Sequence, residues 1–211
     1  MKELLHKYGQ TIINVLLVVC LGKYVLERGG PALRQAWFEH RFDFVELAFF
    51  LHNVVMLSFI LIRRQHQAID ANLFHQAIAL VAFFSGIAFV QVTPPGQALL
   101  RLSQVITIIA ILLGTASLIN LGRSFGILVS IRKVKTNGLY SVIRHPMYAT
   151  DILWRVGIVL KNPCLVNFVT FLLSGACYVY RAILEERYLS RWPEYREYMQ
   201  KVRYRFLPGI L

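Results

Sequence analysis

Gly138-Leu139-Tyr140-Ser141-Val142-Ile143-Arg144-His145-Pro146-Met147-Tyr148 lies between two apolar segments of a 211-residue chain. It sets an arginine, a histidine and two tyrosines in one short stretch beside hydrophobic sequence. Ionisable groups at the edge of a bilayer are costly unless paired, so such a stretch marks a site. A second polar cluster, Arg181 with Glu185 and Glu186, follows further along. What lies around these two clusters decides the fold.

The chain is 56% apolar, with a formal charge of +12. A membrane span takes about 20 apolar residues. The candidates run from about Thr11 to Leu26 (interrupted by Lys23), Phe44 to Ile62, Leu73 to Val92 and Leu102 to Leu121. The third is ended by the turn signal Thr93-Pro94-Pro95-Gly96. Met147 to Leu160 and Cys164 to Leu184 then form a hairpin about Lys161-Asn162-Pro163. The first arm is short and carries Asp151 and Arg155, so it is expected to be tilted, broken or shielded by protein. The predicted fold is an all-α integral membrane protein of five to six transmembrane helices, with a C-terminal helical hairpin and a cytoplasmic interfacial tail. The N-terminal apolar run lacks a small-x-small cleavage site and reads as a retained helix. Cys20, Cys164 and Cys177 show no metal-site spacing, and no metal is expected.

Charge sets the orientation. With six spans and a cytoplasmic N-terminus, 16 of the 23 Lys and Arg residues fall on the inner face and six on the outer. Both termini and both polar clusters are then predicted to be cytoplasmic. The basic balance reads as contact with anionic lipid headgroups, not nucleic acid, because no basic stripe on a soluble fold is present. The segment from Glu185 to Leu211 is charged and aromatic. It is expected to lie at the interface as an amphipathic helix, either as an anchor or folded over a ligand.

Neither GxGxxG, a Walker lysine, HExxH nor a legible Ser-His-Asp set occurs. His6, His40, His66 and His75 read as solvated. His52 reads as an interhelical hydrogen-bonding residue. Asp151 and Arg155, spaced i, i+4, can pair with each other, and a structural pair and a substrate role are both open. Gly138 and Pro146 bracket a turn from which Tyr140, Arg144, His145 and Tyr148 can face one ligand. Glu185 adds an acceptor suited to an amine or to ribose hydroxyls. Residues alone leave a small-molecule site and an interfacial anchor both open.

The stretch from Lys133-Val134-Lys135-Thr136-Asn137-Gly138 through Arg144-His145-Pro146-Met147-Tyr148 resembles the isoprenylcysteine carboxyl methyltransferase family and its prokaryotic membrane relatives. The resemblance continues through Asn162-Pro163, Glu185-Glu186 and Tyr195-x-x-Tyr198 to Arg205-Phe206-Leu207-Pro208. It covers the chain from about Leu121 to Pro208. The wider superfamily includes phospholipid N-methyltransferases. The resemblance implies S-adenosyl-L-methionine as cofactor and a lipophilic or lipidated substrate. Cofactor contacts would fall on Arg132, Lys133, Val134, Lys135, Tyr140, His145, Pro146, Met147, Tyr148, Glu185 and Glu186. Arg181, one helical turn before Glu185, would hold the substrate, and Arg144 would support it; these two are the expected catalytic residues. The stretch from Glu185 to Tyr195 is shorter than the usual family spacing, and Trp192-Pro193 stands where Phe-Gly is common, which leaves both glutamates as candidates. Residues 121–211 would carry the catalytic region and residues 1–120 shape the substrate cavity, in one continuous domain. The implied reaction is methyl transfer to a carboxylate. A lipid or small-molecule amine acceptor and a non-catalytic membrane protein are the alternatives.

Overall fold

A computed structural model describes residues 11–12, 15–23, 25–29, 44–92 and 95–210. His6, His40, Thr93 and Pro94 lie outside them, as does part of the first expected span. Within that span residues 15–23 are helical, and a π-helical turn follows at Val25–Gly29. Six further helices build the bundle: α1 (Phe44–Ile62), α2 (Leu73–Phe84), α3 (Gln97–Leu121), α4 (Pro146–Lys161), α5 (Leu165–Leu189) and α6 (Pro193–Lys201). Among the described residues, three segments are long and apolar enough to cross a membrane: Phe44–Ile62, Gln97–Ser124 and Leu165–Leu189. Their outward faces carry exposed Leu51, Leu61, Val105, Leu112, Leu172 and Leu173. These helices are apolar nearly all round, as helices in lipid are.

α4 is the shielded member. It packs most extensively on α3, where Gly157 lets Thr107 and the Ser103 carbonyl come close. Pro146 opens the helix at its first turn, where a missing N–H costs nothing. Arg155 is only 1% exposed, so protein and not lipid surrounds the charged side of α4. His52 bonds Thr115 Oγ1 at 2.9 Å and joins α1 to α3, as the sequence suggests.

Four details differ from the sequence reading. The third apolar segment is not helical to Val92: α2 gives way to a 3-10 turn at Ser85–Ala88, then to extended chain at Phe89. Side-chain amides satisfy the freed backbone. Asn167 accepts from Val90 N–H and donates to its carbonyl, both at 2.9 Å, and Asn162 accepts from Val92 N–H at 3.3 Å. At the other end of the hairpin α5 runs on to Leu189, so Glu185 and Glu186 belong to this helix and not to the tail. Arg155 and Asp151 do not pair through their charged groups: Arg155 donates to the Asp151 carbonyl, while the Asp151 carboxylate accepts from the Tyr178 hydroxyl at 2.9 Å. His75 is not simply solvated, since its Nδ1 lies 2.5 Å from Asp70 Oδ2.

A short ribbon ties the connector between α3 and α4 to the α1–α2 loop. β1 (Ala68–Ile69) pairs antiparallel with β2 (Ser130–Ile131). Gln76 extends the pairing, donating to the Val129 carbonyl and accepting from its N–H. Beyond α5 the tail folds back. Tyr195 and Tyr198, on one side of α6, are buried with Val202 against Val134 and Leu189. The chain then pairs with the connector, Arg144 N–H donating to Tyr204 and His145 N–H to Arg205.

Candidate active site

The connector, the helices and the tail enclose a cavity of about 610 Å³, a size typical of small-molecule sites. Of the residues singled out in the sequence, Arg132, Lys133, Val134, Lys135, Tyr140, Arg144, His145, Met147, Tyr148, Arg181 and Glu185 line it. Pro146 and Glu186 do not.

The two adjacent glutamates serve opposite sides of α5. Successive helical residues point about 100° apart, and here that angle separates cavity from clamp. Glu185 Oε1 accepts from the Tyr148 hydroxyl at 2.5 Å and from Arg181 Nε at 3.2 Å. Glu186 is 4% exposed and faces the tail. Its Oε1 meets His145 Nε2 at 3.1 Å, and its Oε2 accepts from Arg205 Nε at 2.9 Å. Arg144 Nε lies 3.0 Å from Glu186 Oε1 without the alignment of a hydrogen bond. Glu186 thereby joins the tail to the first turn of α4.

Arg181 is spent on structure. Its Nη1 donates to the Ala79 carbonyl at 3.3 Å, its Nη2 donates to the Ile127 carbonyl, and its Nε holds Glu185. The guanidinium lies over the Tyr148 ring, 4.8 Å from its centre. His145 stacks on Tyr148, its ring 5.2 Å from that of Tyr148 and nearly parallel. The result is a wall in which Arg181, Tyr148 and His145 fix one another, with the Glu185 carboxylate half-buried at its rim.

The connector contributes positive charge. Arg132 donates to the Arg64 carbonyl at 3.1 Å and to Ser130 Oγ at 2.7 Å. A side chain at Gly126 would collide with this guanidinium, so a glycine stands there. Burial and the neighbouring Arg63 lower the Arg132 pKa to about 10, with Glu185 opposing, and the group stays cationic at neutral pH. Gly138, at φ +61°, opens the 3-10 turn before Tyr140 against the Asn120 amide, a place where neither the backbone nor the space admits another residue. Burial pushes the Tyr140 phenol above its ordinary value, so it remains a neutral hydroxyl.

The sequence reading did not assemble the opposite end of the cavity, formed by Phe49, His52, Asp151, Trp154, Arg155 and Tyr178. Tyr178 was legible in principle. With Arg181 and Glu185 it occupies positions i, i+3 and i+7 of α5, one face of a helix.

The lining offers acceptors and aromatic rings suited to a cation, and a basic connector suited to an anion. Residues 113–194 match the phospholipid methyltransferase family. Protein-S-isoprenylcysteine O-methyltransferase B of Arabidopsis thaliana is 29% identical over 178 residues, spanning 78% of this chain and 85% of that protein. A probable protein-S-isoprenylcysteine O-methyltransferase of Oryza sativa subsp. indica is 33% identical over 108 residues, 46% of this chain and 56% of that one. The solved structure of a eukaryotic intramembrane Ras methyltransferase, ICMT, matches in fold with a TM-score of 0.52 at 21% identity, covering 95% of this chain and 75% of that chain. The bundle, its cavity and these likenesses define an integral-membrane methyltransferase. Within that class the chain is similar to the isoprenylcysteine carboxyl methyltransferases.

Proposed function

We propose that this protein uses S-adenosyl-L-methionine to O-methylate the carboxylate of a lipophilic, prenylcysteine-like substrate drawn from the membrane. The observation that carries this reading is the placement of Glu185, His145, Tyr148 and the Arg132–Lys135 connector around one cavity that continues between apolar helices. Both termini and the connector end of the cavity face the cytoplasm, in line with the charge bias. Residues 121–211 form the catalytic region, and residues 1–120 shape the acceptor side of the same domain.

When bound, the cofactor supplies an electrophilic methyl group on a sulfonium. Glu185 would accept from its polar hydrogens, the aromatic rings of Tyr148 and His145 would face its cation, and the connector lysines and Arg132 would balance its carboxylate. A substrate carboxylate titrates at about 3.5 and is already ionised at neutral pH, so the chain needs no general base. Methyl transfer to that carboxylate would yield a methyl ester and leave the donor a neutral thioether, with no proton for the chain to move. The protein's part is to hold the oxygen in line and exclude water, which can supply about 7–11 kcal/mol in ideal cases. Arg144 supports this geometry from the connector just before α4. Arg181 supports it by holding Glu185, Tyr148 and the connector in place, not by gripping the substrate. An amine acceptor would need a base, and Glu185 is already engaged by Arg181 and Tyr148, which favours the carboxylate.

Glu185→Gln removes a charge-assisted acceptor that lies inside the cavity. Cofactor affinity measured by calorimetry on the detergent-purified, folded variant should weaken by about 1.5–3 kcal/mol, together with a fall in melting temperature because Arg181 loses its charged partner. Undiminished affinity in the variant would take Glu185 out of the cofactor site.

A further inference from the structure

One buried cation of the cavity is not used by the chemistry above. Arg155 lies in the cavity wall at 1% exposure. Its Nη1 donates to the Asp151 carbonyl at 3.0 Å. Its Nη2 donates to the Ala82 carbonyl at 3.2 Å and to Ser85 Oγ at 3.0 Å, closing the end of α2. Among the described residues its Nε–H has no acceptor. The guanidinium carbon lies 4.8 Å from the Tyr178 ring centre and 5.6 Å from that of Trp154.

Capping the broken helix does not explain this residue. The chain meets the same need a few residues on with neutral amides, as Asn167 does for Val90. A fixed positive charge at membrane depth is a costly substitute, and an unmet buried donor adds to that cost. The charge is not matched by direct pairing either, since the Asp151 carboxylate is taken up by Tyr178.

The position of the group suits an acceptor. Arg155 reaches back one turn to Asp151, which follows Tyr148 by three residues, about 4.5 Å along the helix axis. The guanidinium therefore sits one turn beneath the Tyr148–Glu185 pair. The other cavity arginine of this wall, Arg181, has all three nitrogens bonded to protein.

We propose that Arg155 is the anion-recognising residue of the acceptor subsite, its Nε–H taking one oxygen of the acceptor carboxylate so that the other faces the Tyr148 level. The assignment rests on the carboxylate reading under Proposed function and names the residue that reads it. The protein uses three of the five guanidinium N–H groups, which leaves Nε–H and one Nη1 hydrogen, and the single positive charge matches a singly charged carboxylate better than a phosphate. The polar neighbours at this depth are engaged, His52 with Thr115, Asn53 with the Phe49 carbonyl and Tyr178 with Asp151. The Trp154 and Tyr178 rings flank the guanidinium, so binding moves one of them aside.

The test uses the full chain in detergent without methyl donor, titrated calorimetrically with a farnesyl thioether carboxylate and with its methyl ester. The wild type should prefer the carboxylate. In Arg155→Gln the carboxylate should weaken roughly tenfold or more, as loss of a charge-assisted hydrogen bond predicts. Affinities for the ester and for S-adenosylmethionine should hold, and Arg155→Lys should recover part of the preference. If Arg155→Gln does not fold, the wild type labelled with 15N-arginine answers instead. One arginine Nε–H resonance should move on adding carboxylate and stay in place on adding ester. A preference that survives in folded Arg155→Gln, or an Nε–H spectrum indifferent to bound carboxylate, overturns the assignment to Arg155 alone. A wild type that binds S-adenosylmethionine but neither probe overturns the carboxylate reading along with it.

Discussion

The two ends of α5 face the same problem and solve it with different chemistry. At its first turns α5 meets the unwound chain after α2, and at its last turns it meets the connector; in both places buried carbonyls and N–H groups lack helical partners. The first end answers with amides. Asn167 is fully buried and makes three bonds, to both polar groups of Val90 and to the Asn162 carbonyl. The last end answers with charge, through Arg181, Glu185 and Glu186. Amides hold backbone without bringing a charge into an apolar setting. Where the chain accepts charged groups for the same task, two of them, Arg181 and Glu185, border the cavity, and Glu186 clamps the tail behind it.

Arg181→Ala gives the sharpest test of that contrast. It strands the Ala79 and Ile127 carbonyls and leaves Glu185 with one partner fewer. Breaking a buried pair costs about 3–5 kcal/mol, so a large fall in melting temperature is expected together with lost cofactor binding. A variant that keeps its stability and cofactor affinity but loses turnover would restore a direct substrate role for Arg181 and erase the distinction between holding and recognising at this end.

Asn167→Ala should cost less, about 1–3 kcal/mol for the stranded polar groups of Val90. The loss should show in thermal unfolding only, with S-adenosylmethionine affinity unchanged. A matching drop in cofactor affinity would mean that the amide end is coupled to the site, and the two ends would no longer be separable.

Much of this arrangement could be read from the chain before its folding was considered. The apolar runs predict the bundle, because a helix in lipid must be long and uniformly apolar. The Arg144-His145-Pro146-Met147-Tyr148 motif points to the cavity, because its polar groups have no other use beside a span. The division of labour between Glu185 and Glu186 was not legible. It depends on the partner Arg205, which returns through the tail, and on a helix that outlasts its apolar stretch by a turn. The break in α2 was only faintly signalled, by the Ser85-Gly86 pair, because the run stays apolar on both sides and the amides that stabilise the break come from the hairpin. The β1–β2 ribbon has two residues per strand, too few to carry an alternating pattern. Asp151 and Arg155 have the spacing of an ion pair, but Tyr178 offers the carboxylate a competing donor that local spacing does not reveal.

The smallest expected effect lies in the tail, where the charged end is closed off from solvent. The Tyr198 hydroxyl donates to the Tyr140 carbonyl at 2.7 Å, joining α6 to the turn before the motif. Tyr198→Phe should cost about 0.5–1.5 kcal/mol, the net worth of one hydrogen bond. The pH dependence distinguishes this bond from the ionic contacts of Glu186 beside it. Burial raises the Tyr198 pKa above its ordinary value, helped by Glu186 and opposed by Arg144. A phenol with a raised folded-state pKa contributes stability that is fully present below the unfolded value, about 10, and is lost as pH rises through the folded one. The difference in melting temperature between wild type and Tyr198→Phe should therefore stay flat from pH 6 to about 9 and shrink only in stronger alkali. A difference that already changes across neutral pH would show that the tail is held through the ionisable contacts of Glu186, with the Tyr198 bond contributing little of its own.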